Sequence, residues 1–298
     1  MESVASRSHL EKLERKVEEG VGNVEEWLSL LRKFKLRRSE KVTIHGSALL
    51  SDPSSRKKLG SEVWTVYEQV AIASMDCQCL DVATLCIEML LLKFPNSVRV
   101  GRLEGMLYEA KGQWQQAEKK YHNLLELQPA DAFVHKRKVA IAKGQGNLSG
   151  AVEALRQYLD IFMADHEAWR ELAEIYISLQ KYSQAAFCYE ELIMMETSNA
   201  TWHLKYAEVH YTIGGLESLR TAKKYYASAI KLNAGKNLRA LYGICMCSAA
   251  ISQAKGRNKD EESTDLQSLA SSAILKDYKE KCPKKLALVT SVLEKQKH

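Results

Sequence analysis

The sequence predicts an all-α chain in which short helices pair into hairpins and the hairpins stack into a solenoid. Three observations predict it. Breakers are scarce, with 4 Pro and 15 Gly among 298 residues, far fewer than the turns of a strand-rich chain demand. Hydrophobic residues make up 46% and charged residues 27%, the balance of a soluble chain with a core, and Ala, Leu, Glu and Lys, which helices tolerate best, are abundant. Finally, Ala83, Ala117, Ala151 and Ala185 recur every 34 residues. Ile87, Tyr121, Leu155 and Tyr189 follow four residues on, and Leu90, Leu124, Tyr158 and Leu192 three further.

A 34-residue period of two helices is that of the tetratricopeptide repeat, and the other positions follow in phase. The copy from His166 has Trp169, Leu172, Ala173 and Tyr176 on its first helix. The copy before Pro129 has Gly105 and Tyr108, and the copy before Pro95 has Tyr67, Val70 and Ala71. The copy from Ala132 is weaker, with Lys138 and Val139 where Leu and a small residue belong. Small residues at Ala71, Gly105 and Ala173 admit close helix approach, and tyrosines fill the space beside them. Gly112 and Gly146 suit left-handed helix caps, and Pro95 and Pro129 end second helices. A fifth copy carries Tyr206, Ala207 and His210, then Ala222, Tyr226 and Ala229, which lie 37 residues after their counterparts. The three extra residues are expected in the turn at Gly214-Gly215-Leu216, where insertions cost little.

The repeats are thus expected over 62–236, as about five to six hairpins between divergent helical caps. The N-terminal cap, 1–61, reads as helices over Leu10–Glu19 and Val24–Arg37, with Asn23 as an N-cap, then a loop over Leu49–Ser55. A mobile part is expected there. The C-terminal cap, 237–298, reads as a helix to Ser252, a polar loop from Gln253 to Thr264, a helix to Lys281, and a last helix opened by Pro283.

Several function classes are set aside by the residues. Nucleotide-binding, esterase and zinc-protease signatures are absent, so no catalytic, cofactor-binding or metal-binding residue is expected. The formal charge of +6 is too mild for a nucleic-acid partner. The basic run Arg32–Arg38 reads as a solvated helix end, or as a contact for acidic lipid or an acidic partner. Seven cysteines, an odd number, fit a reducing compartment. No apolar run reaches the length of a membrane span, and Met1–Arg7 opens no signal peptide.

Binding is expected on the concave face, at positions 2, 5, 6 and 9 of each first helix. These give Arg99 and Arg102 from Val98, Lys136 and Arg137 from Ala132, and Glu167, Arg170, Glu171 and Glu174 from His166. The face reads as basic early and acidic later. Co-chaperones that hold acidic tails place Lys and Asn at these positions. Here position 9 is Ile72, Met106, Ala140 and Glu174, so a free adaptor reading short peptides is the weaker alternative.

Four stretches carry a further likeness: Val63–Val70, His166–Tyr176, Ala185–Leu192, and Tyr206–Val209 leading to Gly214-Gly215-Leu216-Glu217. Together they resemble the subunit 2 family of the endoplasmic reticulum membrane protein complex, from about Val63 to Ser252. The resemblance implies a cytosolic scaffold without bond chemistry, peripheral to the endoplasmic reticulum membrane. It also implies contacts with both membrane-embedded and soluble subunits of a complex that inserts tail-anchored and multipass proteins.

Overall fold

A computed structural model of the chain describes residues 4–255 and 261–295. Among them lie seventeen α-helices and no strand. The residues divide into two compact units, 1–146 and 147–298.

The first unit holds α1 (Val4–Glu18), α2 (Val24–Lys33), α3 (Ser39–Ser51), α4 (Pro53–Lys58), α5 (Val63–Asp76), α6 (Leu80–Lys93), α7 (Val98–Ala110), α8 (Trp114–Leu127) and α9 (Ala132–Gly144). Asn23 caps α2 as expected, its side chain accepting from the amides of Glu25 and Glu26. The N-terminal segment otherwise departs from expectation. The helix from Val24 stops at Lys33, and the chain reverses with Lys35 at φ 52°. A full helix, α3, then occupies 39–51, so the loop expected at Leu49–Ser55 shrinks to Asp52. That residue caps α4 by accepting from the Ser54 and Ser55 amides. Gly46 lets α3 press on α5, because a Cβ there would stand 2.4 Å from Val70. Trp27, Leu28 and Leu31 of α2 join Val66 and Val70 of α5 in one core.

The basic run is built into this unit. Arg32 donates to Gln69 (2.8 Å) and Glu62 (2.9 Å), and Arg37 donates to Asp76 at 2.9 Å. Carboxylates on and beside α5 thus answer Arg32 and Arg37, while Lys33 and Lys35 stand exposed at the end of α2, as a solvated helix end would have them.

The second unit holds α10 (Leu148–Ile161), α11 (His166–Ser178), α12 (Tyr182–Met195), α13 (Ala200–Ile213), α14 (Leu216–Leu232), α15 (Leu238–Lys255), α16 (Glu261–Lys281) and α17 (Leu286–Lys295), the last after a 3-10 turn at Pro283–Lys285. The polar loop expected over Gln253–Thr264 is shorter than that. Residues 253–255 continue α15 and 261–264 begin α16, while 256–260 lie outside the described residues.

The 34-residue period is visible in the caps. Asp131, Asp165 and Asn199 each accept backbone amides at the starts of α9, α11 and α13. Four residues into each of these helices, a ring N–H closes the preceding loop onto a carbonyl six residues upstream. His135 bonds to Pro129 (2.9 Å), Trp169 to Met163 (2.8 Å) and His203 to Thr197 (2.9 Å). A carbonyl only accepts, so Nε2 carries the proton in both histidines.

The left-handed cap recurs at the same interval. Gly112 and Gly146 have φ 71° and 72°, as expected. Gln78 and Gln180 stand at the equivalent positions with φ 60° and 58°, conformations that cost a side-chain-bearing residue more than glycine. Gly105 is needed for a different reason. A Cβ there would lie 2.4 Å from the ring of Tyr121, which is fully buried.

The three extra residues are not in the turn. Gly214, with φ 75° and ψ -170°, and the cap Gly215 keep the 34-residue register, and the link between α13 and α14 is two residues instead of three. It is α14 that lengthens, to 17 residues where α6, α8, α10 and α12 have 14. Adding helix keeps every new amide hydrogen-bonded, and Ala222, Tyr226 and Ala229 remain on the buried face.

Candidate partner-binding surface

Within the first unit, the expected contact residues are held by neighbouring helices. Arg99 on α7 donates to Glu68 of α5 at 2.8 Å. Arg102 donates to Asp131 at 2.8 Å, and the Asp131 side chain is only 2% exposed. The guanidinium of Arg102 also lies over the Phe133 ring, 5.6 Å from its centroid. Arg137 on α9 donates from Nε to Glu109 of α7 at 2.9 Å. The same carboxylate accepts from the Tyr121 hydroxyl at 2.5 Å. Burial, then the carboxylate, pushes that hydroxyl's pKa far up, so it stays protonated and donating. Lys136 stands exposed on α9. At Arg99, Arg102 and Arg137 the early basic character therefore resolves into ion pairs that tie one first helix to the next.

Within the second unit, Glu167, Arg170, Glu171 and Glu174 all sit on α11. Arg170 lies between Glu167 (2.5 Å) and Glu174 (3.9 Å), and Glu171 is half-buried. By formal count this face of α11 carries three carboxylates and one guanidinium.

The same unit contains a cleft of about 510 Å³ between α13 and α15. Lys205, Glu208 and Thr212 line one wall, and Arg239, Tyr242 and Met246 the other. Glu208 takes Lys205 at 3.3 Å and pairs across the cleft with Arg239. Burial and the neighbouring Tyr278 hydroxyl raise Tyr242 to about 12, so it too presents a neutral hydroxyl. Such a cleft offers apolar walls, hydroxyl-bearing side chains (Thr212 and four tyrosines, Tyr242 among them) and a charge pair that a polar backbone could share. It offers no nucleophile–base pair. Among the described residues no three His, Cys, Asp or Glu gather as metal ligands, and no helix is long and apolar enough to cross a membrane.

These cleft residues were not singled out from the sequence, although the signal is present. Positions 6 and 9 counted from Ala200 are Lys205 and Glu208. Positions 2, 5 and 9 from Leu238 are Arg239, Tyr242 and Met246. The positional count, extended past the third first helix, finds them.

Comparison with known proteins bears on the whole arrangement. The family described as the EMC2 TPR-like repeat domain matches residues 77–224. The chain is 43% identical over 220 residues to ER membrane protein complex subunit 2-A of Xenopus laevis, covering 74% of this chain and 73% of that one. It is 34% identical over 249 residues to ER membrane protein complex subunit 2 of Dictyostelium discoideum, covering 77% of each. Among solved structures, the C-terminal part of a TPR repeat-containing protein from Cytophaga hutchinsonii superposes with a TM-score of 0.57 at 14% identity, over 84% of this chain and 93% of that one, a likeness of fold alone. Sequence kinship over three quarters of the length, carried on the tetratricopeptide fold, shows that the chain belongs to the ER membrane protein complex subunit 2 family.

Proposed function

We propose that the protein is a non-catalytic scaffold subunit of a membrane protein insertase, peripheral to the cytosolic face of the endoplasmic reticulum membrane. There it organises membrane-embedded and soluble subunits for the insertion of tail-anchored and multipass proteins. The observation that carries this reading is the extent of its kinship with proteins named as subunit 2 of that complex. The contact residues proposed are the acidic face of α11 (Glu167, Arg170, Glu171, Glu174) and the cleft between α13 and α15. Arg99, Arg102 and Arg137 serve mainly to fix the spacing of their helices, and Lys136 stands exposed on α9.

Affinity purification from detergent-solubilised membranes tests the reading. Stable recovery with membrane-embedded subunits is expected. Recovery with soluble chaperones alone would sink it and favour a free peptide-binding adaptor. Within the complex, Tyr242→Ala and Glu208→Lys are expected to weaken partner retention while circular dichroism stays unchanged. Unaltered retention would remove the cleft from the contact surface.

A further inference from the structure

The outward face of α6 carries a feature that its own unit does not use. Its inner residues Ala83, Cys86, Ile87 and Leu90 fill the core. On the opposite side Leu85 is 63% exposed, Met89 37% and Leu92 79%. A helix apolar on both sides is expected to be covered on both.

The repeat supplies an internal control. At the positions of Leu85, Met89 and Leu92, α8 has Lys119, Asn123 and Glu126, and α10 has Glu153, Gln157 and Asp160. The hairpin architecture thus accepts charge at these sites, and the three apolar side chains of α6 are not a demand of the fold.

The spacing is specific. Leu85, Met89 and Leu92 step by four and three residues, the d-a-d run of a coiled-coil seam, and half-buried Val82, which packs against its own unit's core, stands at the a position before them. Asp81 and Glu88 then fall at the g positions beside the seam, both exposed. The one cation at the edge, Lys93, is turned onto Trp64, 5.9 Å from the ring. The face is therefore apolar along its centre and acidic along its open flank.

That charge pattern selects among occupants. A bilayer surface favours Lys and Arg around an inserting face and repels carboxylates where lipids are anionic. A second copy packed antiparallel across the middle of α6 would set Glu88 against its own counterpart. We infer that α6 docks an amphipathic helix of a partner protein, one with two heptads of apolar a and d residues flanked by Lys or Arg. The inference does not depend on which complex the protein joins, because it rests on a surface separate from the α11 face and the α13–α15 cleft.

The test uses the full chain and two synthetic three-heptad peptides with Leu at a and d, one with Lys at e and g and one with Glu. Like charges at e and g keep each peptide from pairing with itself. By fluorescence anisotropy the Lys peptide is expected to bind at least tenfold more tightly than the Glu peptide, a margin of about 1.4 kcal/mol. Replacing Leu85, Met89 and Leu92 with the α8 residues (Leu85→Lys, Met89→Asn, Leu92→Glu) is expected to cost at least tenfold with helicity unchanged. Asp81→Lys with Glu88→Lys is expected to reverse the preference between peptides. Equal binding of the two peptides, or binding indifferent to the triple variant, overturns the inference. So does flotation with phosphatidylserine vesicles that only the unmodified chain shows, or a dimer in sedimentation that the triple variant dissolves.

Discussion

Glu109→Ala probes the joint on which the first unit's repeat spacing depends. The Glu109 side chain is 8% exposed and that of Arg137 31%. The carboxylate serves two donors, the Arg137 guanidinium from α9 and the hydroxyl of fully buried Tyr121 from α8. Removing it leaves the tyrosine hydroxyl unpaired, at a cost of about 1–3 kcal/mol. It also leaves a guanidinium that is only partly able to reach water, so its contribution is a fraction of the roughly 3–5 kcal/mol seen when a fully buried pair is broken. Together these give a loss of about 3 kcal/mol, and for a unit of this size a fall in Tm of roughly 6–12 °C. Glu109→Gln keeps an acceptor for Tyr121 and loses only the charge, so about half the loss is expected. Urea unfolding followed by far-ultraviolet circular dichroism measures both, and hydrogen exchange should show the faster opening in α7–α9. A Glu109→Ala loss below about 1 kcal/mol would refute the reasoning, because the pair would then behave as an exposed one.

Three other outcomes follow from the geometry. Gln180→Gly relieves a left-handed residue and is expected to stabilise by about 1 kcal/mol in urea titration. His210 has both ring nitrogens buried without partners beside Tyr206, and burial holds its pKa below the ordinary 6.5 despite Glu190. The unfolded chain therefore takes up a proton first as pH falls below about 6.5, so native stability declines across that window and His210→Gln flattens the decline. Burial raises the Cys86 thiol to about 11 and those of Cys188 and Cys247 to about 12. A thiol reagent at about pH 8 should modify the exposed Cys79 and Cys282 in the native chain and reach the buried three only on unfolding.

The repeats were legible because their period is written in small residues. Ala83, Ala117, Ala151 and Ala185 are each fully buried, and nothing larger fits where two helices touch. α3 was not legible, because Gly46 and the polar residues around it break the apolar pattern. Gly46 is there to admit Val70, a contact that no local window contains. The contact positions could be counted from the sequence, but their pairing could not. Glu68 with Arg99 and Glu109 with Arg137 join residues 31 and 28 apart, offsets fixed by how one helix lies on the next. The lengthened α14 was misread for a related reason. Glycines at 214 and 215 advertise a turn, yet only the packing of Ala222 and Tyr226 shows that the added residues joined the helix.

That added length gives the second unit an address. A stack of equal hairpins is ambiguous, since a partner that fits one repeat also fits the next after a slide of 34 residues. The three extra residues extend α14 by about 4.5 Å at its N-terminal end, a ledge that α12 lacks. On the scaffold reading proposed above, a partner seated against that ledge has one position instead of several, and three residues set the origin from which its place is measured.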